Sequence, residues 1–509
     1  MLRSRMCRTV ALGGAAVCLT VCVPAAQAST GTGASAHDPD VAQLEVAGRA
    51  VVRADAGVAA LAQAPGTSGA PGVGDPYFPL LGNGGFNVRH YDLSFSYDPG
   101  SDEIDATMVV EARATQRLSR LDLDLQQLVV RRVRVNGARA SFARDGQELQ
   151  IMPRRAIRDD RRFEVEVDYG GQPQTIVGSP IVFGSPYGFL HTEDVAFMGD
   201  EPNAASTWMP VSDHPSDKAT WTFRVTVPAG KSVVANGRLV SQATHRGKST
   251  FVWDEPDPMA TYLATADIGD WILKTGTTPR GIPVTVAVDP VLLQTQPDAV
   301  DFFYDTTVEA TDLWNDTFGP YPFVETGAIA DNATYQGQPL GFSLETQTKP
   351  VYSAVRNDGT IAHELAHQWF GDSVSVATWP NIWLNEGFAS FAQYLWAEHR
   401  GTRTGHDSFL ADYARAPEDP FWQVVVADPQ RDTMFASAVY RRGAMTLQAL
   451  REKIGDEKFF AILRSWAAEH RDGLGTTPEF IALAQRIAGQ DLQAFFQTWL
   501  YTKGKPTSW

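Results

Sequence analysis

The 509-residue sequence predicts an α+β protein, with an antiparallel β domain (a sandwich or a large curved sheet) followed by a mostly helical domain. Three observations carry that expectation. Apolar residues alternate with polar ones over residues 77–280, and they recur at helical spacing over residues 281–509. A stretch rich in Ala, Gly, Ser and Thr sets both apart from the chain's first residues.

The N-terminal "MLRSRMCRTVALGGAAVCLTVCVPAAQAST" places Arg3, Arg5 and Arg8 ahead of an apolar run that ends in Ala26-Gln27-Ala28. That is the pattern of an export signal over residues 1–28, and it predicts a secreted, extracellular protein. All three cysteines, Cys7, Cys18 and Cys22, lie within it. The processed chain would therefore hold no thiol, and a metal site would have to use histidine and carboxylate. Lipid anchoring at Cys22 is the weaker reading, because Val21 rather than a small residue precedes it. Residues 29–76, including "APGTSGAPGVGDP", read as a linker or pro-segment.

Over residues 77–280, "HYDLSFSYDP", "ATMVVEARAT", "RRFEVEVDYG" and "KATWTFRVTVP" alternate with period two between Gly, Pro and Asp breaks, as half-buried antiparallel strands do. Over residues 281–509, "DAVDFFYDTTVEATDLWNDTF", "IWLNEGFASFAQYLWAEHR", "GAMTLQALREKIG" and "TPEFIALAQRIAG" follow a helical period, and most stop at Gly. No later apolar run is long enough to span a membrane. With 43 basic against 59 acidic residues, a net charge of −16 and no basic run, the chain is a poor candidate for nucleic acid.

"TIAHELAHQWFG" carries the chemistry. Ile361, Ala362, Leu365, Ala366 and Trp369 mark one helix ending at Gly371. His363 and His367, four apart, share one of its faces and can reach one ion, while Glu364 is placed to reach a water on that ion. In the following helix Glu386 stands beyond His367 with 18 residues between them. A His, His, Glu set leaves the fourth tetrahedral position open to water, as catalytic zinc sites do. Alone, Glu386 would be an ordinary helix N-terminal carboxylate. Beside HELAH it is read as the third ligand of one Zn2+ per chain.

The segment "HELAHQWFGDSVSVATWPNIWLNEGFAS" resembles the zinc segment of the gluzincin aminopeptidases, peptidase family M1. "EPNAASTWMPVSDHPSDKATWTFRVTVP", "ATYLATADIGDW", "FGPYPF" and "VYRRGAMTLQALR" resemble other family segments in the same order. The resemblance implies a β saddle domain followed by a thermolysin-like catalytic domain. It makes His363, His367 and Glu386 the zinc ligands, Glu364 the general base and Tyr440 the hydroxyl that meets the oxyanion. Glu201 and Glu345 fall where the family binds the substrate's α-amine, so the expected partner is a peptide with a free N-terminus.

The chain also departs from the family pattern. The GAMEN-like motif reads "GFSLET", with Phe342 for Gly and Thr346 for Asn, and Arg441-Arg442 stands where Glu-Lys is usual. The sequence stops soon after "FFQTWLYTKGKP", so the expected form is a short one lacking the family's C-terminal helical domain. A zinc endopeptidase or other zinc hydrolase of this fold, or a non-catalytic metal-binding surface protein, are the alternatives.

Overall fold

The computed structural model describes residues 66–191 and 196–508, so the expected export signal and most of the expected linker lie outside the described residues. The described end of that linker is packed. Thr67–Ser68 pairs in parallel with the strand Leu118–Asp124, and an added Cβ at Gly69 or Gly72 would meet a carbonyl oxygen at 2.5 or 2.0 Å. Its small residues let backbones touch, a use of glycine that composition alone reads as looseness. The arm is pinned by Asp75, whose carboxylate accepts from the amides of Tyr77 (2.7 Å), Phe78 (3.0 Å) and Trp379 (2.8 Å) and lies 3.2 Å from His214 Nε2. Burial alone would raise that carboxyl's pKa, but these hydrogen bonds hold it below the usual range.

An eight-stranded sheet dominates the first half. In spatial order it runs Arg238–His245, Lys248–Met259, Ala219–Pro228, Phe86–Asp98, Glu103–Ala114, Arg162–Gly171, Val129–Val135 and Ala138–Arg139. Phe86 and Val88 point inward, then Tyr91, Leu93, Phe95 and Tyr97 do, because a bulge between Val88 and His90 shifts the alternation by one. The pair Phe86–Asp98 and Ala219–Pro228 is parallel, an exception to the antiparallel pattern expected from alternation. A five-stranded sheet contains Ala196–Gly199, which leads directly into Asp200 and Glu201.

Another five-stranded sheet runs Ile272–Thr277, Pro283–Val288, Thr326–Ala330, Val351–Tyr352, Ser343–Leu344. Helix α1 (Ala299–Phe318) connects the parallel neighbours Pro283–Val288 and Thr326–Ala330. These strands are largely buried and barely alternate, so helical-period reading passes over them. Ser343–Leu344, from "GFSLET", is the edge strand.

Seven helices follow among the described residues: α2 (Asp358–Ala366), α3 (Trp383–His399), α4 (Gly405–Tyr413), α5 (Ser437–Ile454), α6 (Asp456–Glu469), α7 (Thr477–Ala488) and the short α8 (Gln493–Phe496). Asn357 caps α2 by accepting from the Thr360 amide at 2.9 Å. Thr476 and Glu479 close a capping box on α7. Helix α3 packs against both α2 and α5. The α3–α5 crossing is unusually close, since a Cβ on Gly443 would lie 2.7 Å from the Cα of Gly387.

Candidate active site

Helix α2 ends at Ala366, earlier than the expected stop at Gly371. His367 is its C-cap and keeps helical dihedrals (φ −59°, ψ −26°), with its amide 3.3 Å from the carbonyl of His363. The four-residue face relation of the two histidines therefore survives the helix end. Glu386 reaches them from the first turn of α3. His363 Nε2 and His367 Nε2 are 3.1 Å apart, and Glu386 Oε2 lies 3.3 Å from the first and 3.5 Å from the second.

That triangle is a direct test for a metal. Three ligand atoms on a tetrahedral zinc at ~2.0–2.1 Å stand about 3.3–3.4 Å from one another. The ring orientation agrees. His367 Nδ1 donates to the Phe370 carbonyl (3.1 Å), which turns its Nε2 toward the other two atoms. Glu386 Oε2 is buried and has no hydrogen-bond partner among the described residues. Burial would raise the Glu386 pKa, but its contacts with His363 and His367 bring it down to about 2, so it stands ionised. The trio fits a zinc ion.

The remaining carboxylates are of another kind. Glu364 is buried one residue after His363, and burial pushes its carboxyl well above the usual range. Glu345 is buried, accepts from the Tyr262 hydroxyl at 3.4 Å and is raised first by burial. One oxygen each of Glu345 and Glu364 and one ring nitrogen of His367 lie within 4.8 Å of one another. Glu201 is raised by burial and then by the charge of Glu345, and its Oε1 is buried with no hydrogen-bond partner. The structure thus brings Glu201 and Glu345 into one electrostatic neighbourhood across 144 residues of chain.

Two hollows meet at Phe183, Phe435 and Tyr440. The larger, about 670 Å³, is lined by His363, Glu364, Thr360, Ser437 and Arg441. The smaller, about 240 Å³, is lined by Glu201, Tyr187, Phe342 and Leu344. Tyr440 sits in the first turns of α5 and stacks its ring over His363, with centroids 6.3 Å apart and planes 11° apart. Burial, then the charges of Glu386 and Glu201, push its phenol well up, so it remains a hydroxyl donor. The Gly387–Gly443 contact explains its place. Gly387 follows Glu386, Gly443 lies three residues after Tyr440, and their contact sets the tyrosine beside the metal trio.

Sequence reasoning passed over several residues. Tyr262, inside a motif noted above, joins Glu345 to Asn385, whose Nδ2 donates to its hydroxyl at 3.4 Å. Gln368 donates to the Glu345 carbonyl (3.3 Å) and accepts from the Thr348 amide (2.7 Å), which fixes the strand end. Lys218, from the β-rich half, donates to the carbonyls of Asp372 (2.6 Å) and Ser373 (2.8 Å) just past α2. A buried polar residue inside a recognised motif was the available signal for the first two.

The departures separate too. The Phe342 ring covers Gly199, and its carbonyl accepts from the Ser353 hydroxyl (2.7 Å) and Arg356 (2.9 Å), so that carbonyl is already engaged. Arg442 is fully buried, with its guanidinium donating to the carbonyls of Thr502 (2.6 Å), Thr498 (3.0 Å) and Trp422 (3.3 Å). Arg441 faces the larger hollow instead.

Comparison with known proteins follows this geometry. Residues 87–263 match the peptidase M1 N-terminal domain, and residues 322–499 match the peptidase family M1 domain. The M1 zinc metallopeptidase of Deinococcus radiodurans is similar in structure, with a TM-score of 0.76 and 28% identity, covering 86% of this chain and 97% of that one. A mutant of that protein bound to a Tyr-Ser-Ala substrate matches at TM-score 0.76 and 27% identity, covering 86% and 98%. Glutamyl aminopeptidase of Bos taurus is 28% identical over 338 residues, 62% of this chain, and Aminopeptidase M1-B of Oryza sativa subsp. japonica is 27% identical over 337 residues, also 62%. The matched regions make up only 35% and 38% of those two relatives' lengths.

Proposed function

The chain belongs to peptidase family M1, and from that premise we propose that it is a secreted zinc aminopeptidase that removes single residues from peptides with a free N-terminus. The observation that carries this is Oε1 of Glu201, buried without a hydrogen-bond partner among the described residues and facing the charge of Glu345, in a hollow that shares Tyr440 with the one lined by His363 and Glu364. Buried carboxylates without a cation are costly, and a substrate ammonium is the cation that would relieve both.

His363, His367 and Glu386 would hold the zinc ion, which supplies Lewis acidity to the peptide carbonyl and acidifies water. Glu364 takes the proton of the attacking water and returns it to the leaving amine. Burial raises its pKa, which makes its carboxylate a stronger proton acceptor than an exposed one. The Tyr440 hydroxyl donates to the carbonyl oxygen as negative charge develops there. Glu201 and Glu345 grip the ammonium and so fix how many residues precede the cut. Export is part of the reading, supported by the basic, apolar and small-residue order of residues 1–28. Among the described residues no helix is long and apolar enough to cross a membrane.

Aminoacyl anilides test the reading. The free-amine compounds should be cleaved, and acetylating the amine should cost about 100-fold or more, since it strands two buried carboxylates. Glu345→Ala should erase most of that difference. Equal cleavage of free and acetylated substrates, or internal cuts in a long peptide, would make the protein an endopeptidase instead.

A further inference from the structure

The larger hollow contains Glu364 and His363 but not Glu201, so on the proposed reading it receives the part of the peptide beyond the cut. Among its lining residues Arg441 is the only one with a permanent positive charge. Arg441 directly follows Tyr440 on α5, and the turn of the helix that gives Tyr440 both hollows gives Arg441 the larger one alone. Its side chain is 41% exposed, and its Nη1 lies 3.7 Å from Asp412 on α4. That contact is too long for a close hydrogen-bonded pair, so it orients the guanidinium without using up its donors. Asp412 is itself held by the Tyr394 hydroxyl on α3 at 2.5 Å, so the arginine stands on a fixed base.

The other nearby arginines are committed elsewhere. Arg356 donates to the Phe342 carbonyl and the Ser353 hydroxyl, and Arg442 is buried among carbonyls. Arg441 therefore offers a forked, partly exposed cation on the wall of the larger hollow, while Glu201 lines the smaller one. A short peptide has the complementary pattern, ammonium at one end and carboxylate at the other. One or two residues past the cut put that carboxylate about 4–7 Å beyond the scissile carbonyl.

We propose that Arg441 binds the C-terminal carboxylate of the substrate, so that the enzyme selects dipeptides and tripeptides with a free C-terminus. The inference rests on the aminopeptidase reading and extends it from one end of the substrate to both. Guanidinium–carboxylate contacts are charge-assisted and geometrically matched, though partial exposure and salt weaken them. A preference of about five- to tenfold is expected at a site this open.

The test compares a tripeptide with its C-terminal amide, both carrying the N-terminal residue cleaved fastest as an anilide. The wild-type enzyme should favour the acid about five- to tenfold in kcat/KM, mainly through KM, and the ratio should shrink at high salt. Arg441→Gln should bring the acid-to-amide ratio to about one, and Arg441→Lys should restore part of it. Equal use of acid and amide by the wild type, or a preference that outlasts Arg441→Gln, would overturn the assignment. Calorimetric binding of the same two peptides to the Glu364→Gln protein gives a readout without turnover, with tighter binding of the acid expected and equal affinities refuting the proposal. Failure of the wild type to cleave any free-amine anilide would instead count against the aminopeptidase reading.

Discussion

The proposed metal wall and the proposed amine wall of this cleft are built by different means. His363, Glu364, His367 and Glu386 come from two successive helices within 24 residues, and their ligand atoms converge to 3.1–3.5 Å. Glu201 and Glu345 follow strands of different sheets, and Glu345 is held by the Tyr262 hydroxyl on its side chain and by Gln368 on its carbonyl. The first wall is a product of helical geometry, and the second of tertiary assembly. Damage to the first should be all-or-none, whereas damage to the second should be graded.

The largest effect should come from Glu386→Ala. It removes one of three ligands and leaves two histidines, so zinc content measured after dialysis should fall from about one per chain toward zero, with activity following. Retention of stoichiometric zinc would mean that the convergent triangle is not the metal site. Next in size is Glu364→Gln, which should keep the zinc yet lose about 10²–10⁴-fold in turnover, since Glu364 is adjacent to the trio but outside it. Near-normal turnover would remove the base assignment.

Tyr440→Phe should lower kcat about 100-fold with little change in KM, the mark of a contact made only as charge develops. If KM rose alone, Tyr440 would belong to the amine wall rather than the metal wall. The smallest effect sharpens the comparison most. Gly443→Ala puts a Cβ 2.7 Å from the Gly387 Cα and forces α5 off α3. Overpacking of that kind costs about 1–3 kcal/mol, so the melting temperature should drop by several degrees. The displaced Tyr440 should cost about tenfold in kcat with zinc retained. A stability loss without any kcat change would show that the glycine contact does not position the tyrosine.

The sequence by itself determined the shared face of His363 and His367 and the division between β-rich and helix-rich halves. Helical periodicity places residues four apart on one face whatever surrounds them, so His363 and His367 were already paired on paper. Period-two alternation likewise announced strands such as Phe86–Asp98, although not the bulge that shifts its inward face after Val88. Resemblance to family M1 pointed to Tyr440, Glu201 and Glu345, but not to what holds them in place.

Only the tertiary structure decided the rest. The sheet over residues 272–352 escaped notice because strands buried on both faces, such as Thr326–Ala330, have no alternation to show. Arg441 and Arg442 are identical letters side by side, yet one is sealed among carbonyls and the other faces the cleft, because successive helix positions point about 100° apart. Gly387 and Gly443 had no visible role until α3 and α5 were seen to touch at them. Contacts of that kind join positions far apart in the chain, and a linear pattern with a period of two or 3.6 residues carries no information about which distant segment will arrive.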